Sequence, residues 1–160
     1  MIIMPTPYER IYESFLPKLR SYEIPAMTED EVRDTLHDYL IAATSRFHVC
    51  RKDLTDRDDI LQRFNVELSD IEIDILSNYM LLEYIDATYV RTPTLLKANL
   101  SSSDFNAFSS ANLLSKITES QGKLLSETEA QISRYAWLGQ SDGSSKKLKD
   151  IMKINVNKNS

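Results

Sequence analysis

The chain has 160 residues, 42% of them apolar and 27% charged, which suits one globular domain with a single ordinary core rather than a disordered or fibrous chain. A net charge of −5 argues against a surface built to grip DNA, because that task needs a basic stripe to displace counterions. Three glycines and five prolines leave little turn chemistry for a many-stranded fold, so the expectation is all-α.

The opening MIIMPTPYER has neither the basic n-region nor the apolar run of a signal peptide, and no window approaches the roughly 20 apolar residues of a membrane span. The expectation is a soluble protein made in the cytosol, with no membrane contact. Thr6-Pro7-Tyr8-Glu9 reads as a capping box with proline at the first helical position. Tyr8, Ile11, Tyr12, Phe15 and Leu19 then recur at helical spacing, and Pro17 ends the helix near Leu16 or kinks it there. Pro25 pushes Ile24 out of helical geometry, so Tyr22–Ala26 reads as a connector.

Thr28-Glu29-Asp30-Glu31 is a further capping box, opening a helix to about Phe47. Its buried side is Val32, Leu36, Tyr39, Leu40, Ala43 and Phe47, with His37 beside that stripe and Arg46 in the last turn, where the helix dipole favours a cation. Cys50 has no internal disulfide partner and, following Phe47-His48-Val49, reads as a small half-buried hydrophobe. In Arg51–Leu68 the acids Asp53, Asp56, Asp58 and Asp59 lack the central glycine and closing glutamate of a calcium loop, so they read as solvated turn caps. Leu54, Ile60, Leu61, Phe64, Val66 and Leu68 are expected to anchor this segment to the core, with a helical turn over Ile60–Phe64.

Ser69 with Glu72 three residues on is another capping box. Ile71, Ile75, Tyr79 and Leu82 form one apolar stripe, and Ile73, Leu76, Met80 and Tyr84 form a second. Two stripes on one helix require burial on two sides, so this central helix, about 69–90, is the element on which the others pack. Thr92-Pro93 restarts a helix through Leu100, and Ser101–Asp104 combines a break and a cap. The longest pattern follows, a helix over about 104–138 with Phe105, Phe108, Leu113, Ile117, Leu124, Thr128, Ile132 and Tyr135 on one face, widened by Leu114 and Leu125. Gly122 costs this helix about 1 kcal/mol against alanine without ending it.

Gly139–Ser145 reads as a hinge dividing a helical domain, 1–138, from a basic tail, 139–160. The last twenty residues carry a balance of +3 and the rest −8. Met152, Ile154 and Val156 alternate with polar residues at the period of a strand. Two readings stand for this tail: a frayed terminus, or a strand that adds to the edge of another subunit or protein. On the second, Lys146, Lys147, Ile151, Met152, Ile154 and Val156 are the candidate partner contacts, together with Trp137.

No catalytic or cofactor-binding constellation stands out. The glycines are too scattered for a phosphate loop, and two histidines with one cysteine do not make an ordinary zinc site. His48 and Cys50 are neighbours in sequence, but a nucleophile–base pair is defined in space. The expectation is a protein that is not an enzyme and has no metal or cofactor.

The segments TPYERIYESFLPKLRSYE, TEDEVRDTLHDYLIAATSRFHVC, DLTDRDDILQRFNVELSDIEIDILSNYMLLEYI and LLKANLSSSDFNAFSSANLL, in that order, resemble the small helical head–tail connector proteins of tailed bacteriophages. This adaptor, head-completion or neck group docks on the portal, and the resemblance spans about Pro5 to Tyr135. It implies a virion protein at the head–tail interface, forming a homo-oligomeric ring, often twelvefold, that contacts the portal and the next neck or tail component. Packaged DNA would pass through such a ring without sequence-specific binding, and an acidic body would repel the strand. A small helical binding or regulatory module that touches nucleic acid through the lysine-rich tail is the alternative.

Overall fold

The computed structural model of the chain describes residues 4–19, 28–91 and 107–156, with side chains over 4–19, 28–89 and 115–139. Four α-helices dominate these residues: α1 (Tyr8–Phe15), α2 (Glu29–Arg46), α3 (Asp70–Ile85) and α4 (Ala107–Val156). The expected connector at Tyr22–Ala26, the helix from Thr92 to Leu100 and the break at Ser101–Asp104 lie outside the described residues.

The helices do not account for the whole fold. Three two-residue strands, β1 (Thr6–Pro7), β2 (Arg57–Asp58) and β3 (Arg63–Phe64), form an antiparallel sheet in the order β1-β3-β2. Thr6 stands opposite Phe64 and Pro7 opposite Arg63 on one side of β3, with Arg57 and Asp58 opposite the same two residues on the other. The expectation of an all-α chain is corrected here, as is the capping role of Thr6. Pro7 occupies the cap position of α1 with no side-chain bond, and Thr6 belongs to the sheet. Its hydroxyl donates to the Val66 carbonyl at 3.0 Å and accepts from the Leu68 N–H at 2.8 Å. One buried threonine therefore ties the start of the chain to the lead-in of α3. The sheet escaped the sequence pattern because its strands are too short to show alternation.

α1 stops at Phe15 and tightens into a 3₁₀ turn, Leu16–Leu19, where Pro17 interrupts the α pattern. At the head of α2, Glu31 accepts from the Thr28 N–H at 2.9 Å while its own N–H reaches the Thr28 hydroxyl at 3.4 Å, so that capping box is formed. α3 is covered nearly all round, with both stripes engaged: Ile73, Ile75, Leu76, Tyr79, Met80, Leu82 and Tyr84 are all buried. It packs against α1, α2 and α4, and a single π-helical segment, Asp86–Arg91, continues it. Tyr8, Ile11 and Phe15 of α1 and Leu40, Ala43 and Phe47 of the α2 end complete the centre of the core.

A polar tie fixes the 3₁₀ turn after α1, and α4, to α3. Lys18 donates to Asp74 at 2.7 Å, Ser77 at 2.6 Å and Asn78 at 2.5 Å, while Gln131 donates to the other Asp74 oxygen at 2.7 Å. Burial alone would raise the Asp74 carboxyl, but these bonds from Lys18 and Gln131 outweigh it and hold the group below the usual aspartate range.

Within α4, Thr128 and Tyr135 are buried and Ile117, Leu124, Leu125 and Ile132 half-buried, which is the later part of the expected stripe; the side chains of Phe105, Phe108, Leu113 and Leu114 lie outside the described residues. The helix does not stop at Leu138. Its backbone stays helical through Gly139–Ser145, read as a hinge, and through Met152–Val156, read either as a frayed terminus or as an added strand. Two glycines lower helix propensity by only about 1 kcal/mol each, and a period of two over five residues is too short to oppose continuation of a formed helix.

Candidate functional site

The first turn of α3 holds the one fully buried acidic side chain among the described residues, Glu72, at 3% exposure. Its position follows from the sequence. A glutamate three residues into a helix folds back on its cap, and here the helix is apolar on both flanks, so the carboxylate is enclosed as it does so. One oxygen accepts from the Ser69 N–H at 2.7 Å and the Ser69 hydroxyl at 2.8 Å. The other accepts from the Tyr135 hydroxyl at 2.6 Å, and the Cys50 sulfur lies 3.9 Å from the same oxygen. A buried carboxylate is costly unless donors surround it, and these donors come from the loop, α3 and α4.

Tyr135 is the pivot of the group. Its hydroxyl accepts from the Arg51 N–H at 3.0 Å, and the Arg51 guanidinium lies over its ring, 4.3 Å from the centroid, while donating to the Tyr135 carbonyl. A β-carbon at Gly139 would overlap that guanidinium, so the absence of a side chain one turn further along α4 gives Arg51 its place. Beside the group opens a cleft of about 500 Å³ whose walls include Leu68, Ile71, Tyr135 and Leu138, with Arg51, Lys52 and Glu67 also lining it.

The electrostatics favour holding protons over moving them. Burial raises the Tyr135 phenol, and its bond to Glu72 raises it further. Burial also raises the Cys50 thiol, with the Glu72 charge acting in the same sense. A protonated thiol is a poor nucleophile, and His48 is exposed with its Nδ1 3.2 Å from the Arg46 carbonyl. The arrangement locks three segments together. Among the described residues no group of three or more histidine, cysteine or acidic side chains is placed to hold a metal ion.

The other polar cluster lies at the β2–β3 turn. Asp58 accepts from the Ile60 and Leu61 N–H groups, both at 3.0 Å, in the manner of an Asx turn. Gln62 takes the left-handed conformation, φ 51°, and its carbonyl accepts from the Tyr8 N–H at 2.8 Å. The Tyr8 hydroxyl donates to Asp59 at 2.6 Å and holds that carboxyl below the usual range, with Arg57 at 3.6 Å and His37 at 3.8 Å adding to the effect. Asp53 accepts from the Thr55 N–H at 2.9 Å, and Asp56 from Asn65 at 2.8 Å. All four aspartates of this segment thus bond within the fold.

The apolar residues of the turn correct the reading of the segment. Leu54, Phe64 and Leu68 are buried anchors and Val66 is half-buried, but Ile60 is 93% exposed and Leu61 57%. A turn with its amides held by Asp58 replaces the expected helical turn at Ile60–Phe64 and directs these two side chains outward.

Of the candidate partner contacts, Trp137 is 72% exposed; it precedes Leu138, which is 58% exposed and lines the cleft, but does not itself line it. Lys146, Lys147, Ile151, Met152, Ile154 and Val156 have their backbone in α4, and their side chains lie outside the described residues. Glu72, Arg51 and the Ile60–Leu61 turn were not singled out by the sequence pattern as site residues. The available signal for Glu72 was a carboxylate set between two apolar stripes. No helix among the described residues is long and apolar enough to cross a membrane. Comparison with protein-family models, with curated proteins and with solved structures finds no match to the chain.

Proposed function

We propose that this chain is a structural assembly subunit of the head–tail connector class, which docks on the portal as a ring and joins the DNA-filled head to the neck or tail. The observation that carries the reading is the distribution of apolar surface. Buried polar groups such as Glu72, Thr6 and Ser77 are bonded into the scaffold, while Ile60, Leu61, Trp137 and Leu138 stand exposed, as do Met4, Leu16 and Val49. A body with its buried carboxylate bonded into the scaffold and bare apolar side chains at its periphery suits a part that works by contact. The pattern resemblance over about Pro5–Tyr135 supplies the particular assembly. On this reading the protein is non-enzymatic and resides in the virion, and the 139–160 segment, rich in lysine, meets a neighbouring component.

Mixing the purified protein with portal rings and imaging by negative stain tests the proposal. Added density at one end of the portal, lost when 141–160 is deleted from an otherwise folded chain, is the expected result. A protein that never joins portal rings overturns it. Retention of DNA in a gel shift that weakens steeply with salt would instead favour the regulatory module.

A further inference from the structure

From Asp86 to Arg91 the backbone that continues α3 widens from the α turn to the π turn, in which each N–H reaches back five residues rather than four. The sequence DATYVR holds no proline or glycine that would break an α turn there. The wider register has to be selected by something else.

The side chains at this point supply a selector. The Tyr84 ring, buried at the end of α3, meets the Tyr39 ring of α2 at 6.2 Å and 87°, and the Tyr89 ring at 6.3 Å and 80°. Both are edge-to-face arrangements, which aromatic rings favour. The Tyr84 phenol also bonds to Tyr89 and Thr88, and the Tyr39 phenol bonds to Thr88. These partners differ in what they demand of the backbone. Thr88 is four residues beyond Tyr84, so an α turn would bring it to the same side. Tyr89 is five beyond, and residues five apart in an α-helix lie about 140° apart around the axis. Of the two registers, the π turn is the one that brings position 89 over position 84, so this ring contact distinguishes them. A wider turn also rotates the chain less per residue. The register therefore fixes the direction in which the chain leaves the core at Arg91, and α4 packs against this same segment.

We infer that the end of α3 is a two-register joint, held in the π register by the edge-to-face contact of Tyr84 with Tyr89 and braced by Tyr39. Without that contact the segment takes the α register and α3 runs on as one α-helix. The inference stands apart from the assembly reading, since it concerns how one chain sets its own helix directions.

Nuclear magnetic resonance on the full chain tests it. Contacts between Hα and amide protons across 86–91 reach residues four and five apart in the π register, and three and four apart in the α register. Tyr89→Phe keeps the ring and should retain the π pattern. Tyr89→Ala removes a half-buried ring and should give the α pattern, with shift changes carried into the part of α4 packed on the segment. Thr88→Tyr combined with Tyr89→Thr conserves composition while moving the ring to the position that an α turn places beside Tyr84; this exchange should also give the α pattern, and it decides the matter if Tyr89→Ala does not fold. Pro93, two residues past Arg91, is the competing cause, because proline interrupts helical bonding to the preceding turn. Pro93→Ala with both tyrosines intact should therefore stay in the π register. A π pattern that persists in Tyr89→Ala or in the exchange overturns the proposal. So does an α pattern in wild type or Tyr89→Phe, or conversion by Pro93→Ala alone.

Discussion

α3 and the β2–β3 turn both carry neighbouring aliphatic side chains, and their fates are opposite. Ile75 and Leu76 are wholly buried among α1, α2 and α4, whereas Ile60 and Leu61 face water. The difference lies in where the backbone bonds go. A helix satisfies its amides internally, leaving its sides free to be covered by other helices. At the turn the amides of Ile60 and Leu61 are taken by the Asp58 side chain, which fixes a conformation that points both residues outward. Hydrophobicity says which residues gain from burial; backbone bonding decides which of them obtain it.

The harshest way to probe that comparison is to place a charge on the covered side. Ile75→Asp or Met80→Asp puts an unpaired carboxylate where no donor waits, at a cost comparable with the entire stability of an ordinary domain, about 5–15 kcal/mol. Loss of the cooperative thermal transition by circular dichroism is expected. A variant that melts as wild type does would mean that α3 is not the hub.

A smaller effect is expected at the clasp that connects the two regions. Thr6→Val keeps the shape but removes the hydroxyl, leaving the Val66 carbonyl and the Leu68 N–H without their partner. Each orphaned group costs about 1–3 kcal/mol, so a loss of roughly 2–4 kcal/mol is expected from urea unfolding with an unchanged m-value. Values within 0.5 kcal/mol of wild type would show that the sheet is incidental.

The tyrosines extend the contrast to alkaline pH. Burial raises Tyr8 at the turn and Tyr135 at the lock, and pushes Tyr12 and Tyr84 up to about 12. The folded chain therefore keeps these protons at a pH where the unfolded chain, with phenols near 10, has released them. Stability is intact below about pH 10 and falls as the pH rises through 12. Phenolate absorbance should appear in two stages, the later one coinciding with unfolding. A single early stage including all eight tyrosines would refute the enclosure of these four.

The legibility of the chain divides along the same line. α2 and α3 could be read because Thr28–Glu31 and Ser69–Glu72 announce their starts and the apolar period then runs for several turns. The described stripe of α4 was readable for the same reason. The sheet was not, because two residues per strand leave no alternation, and Thr6 shares its sequence signature with a true cap. Ile60 and Leu61 were misread as anchors because composition cannot distinguish an aliphatic residue drawn into a core from one held outside by its own turn. Glu72 was readable as a cap but not as a lock, since its link to Tyr135 joins residues 63 apart.

The gentlest substitution sharpens the comparison most. If Ile60 and Leu61 contribute nothing to the monomer, replacing both with serine should change unfolding free energy by no more than about 0.5 kcal/mol, as for surface positions free of structural duties. The same double change one helix away, at Ile75 and Leu76, would remove two fully buried side chains and cost several kcal/mol. Chemical denaturation at a protein concentration low enough to keep the chain monomeric checks the difference. A loss above 1 kcal/mol at the turn would mean that Ile60 and Leu61 are covered in solution, and the two regions would then be variants of one kind of burial. Near-zero cost leaves the turn as surface retained for something other than folding, which is the condition any docking role must meet.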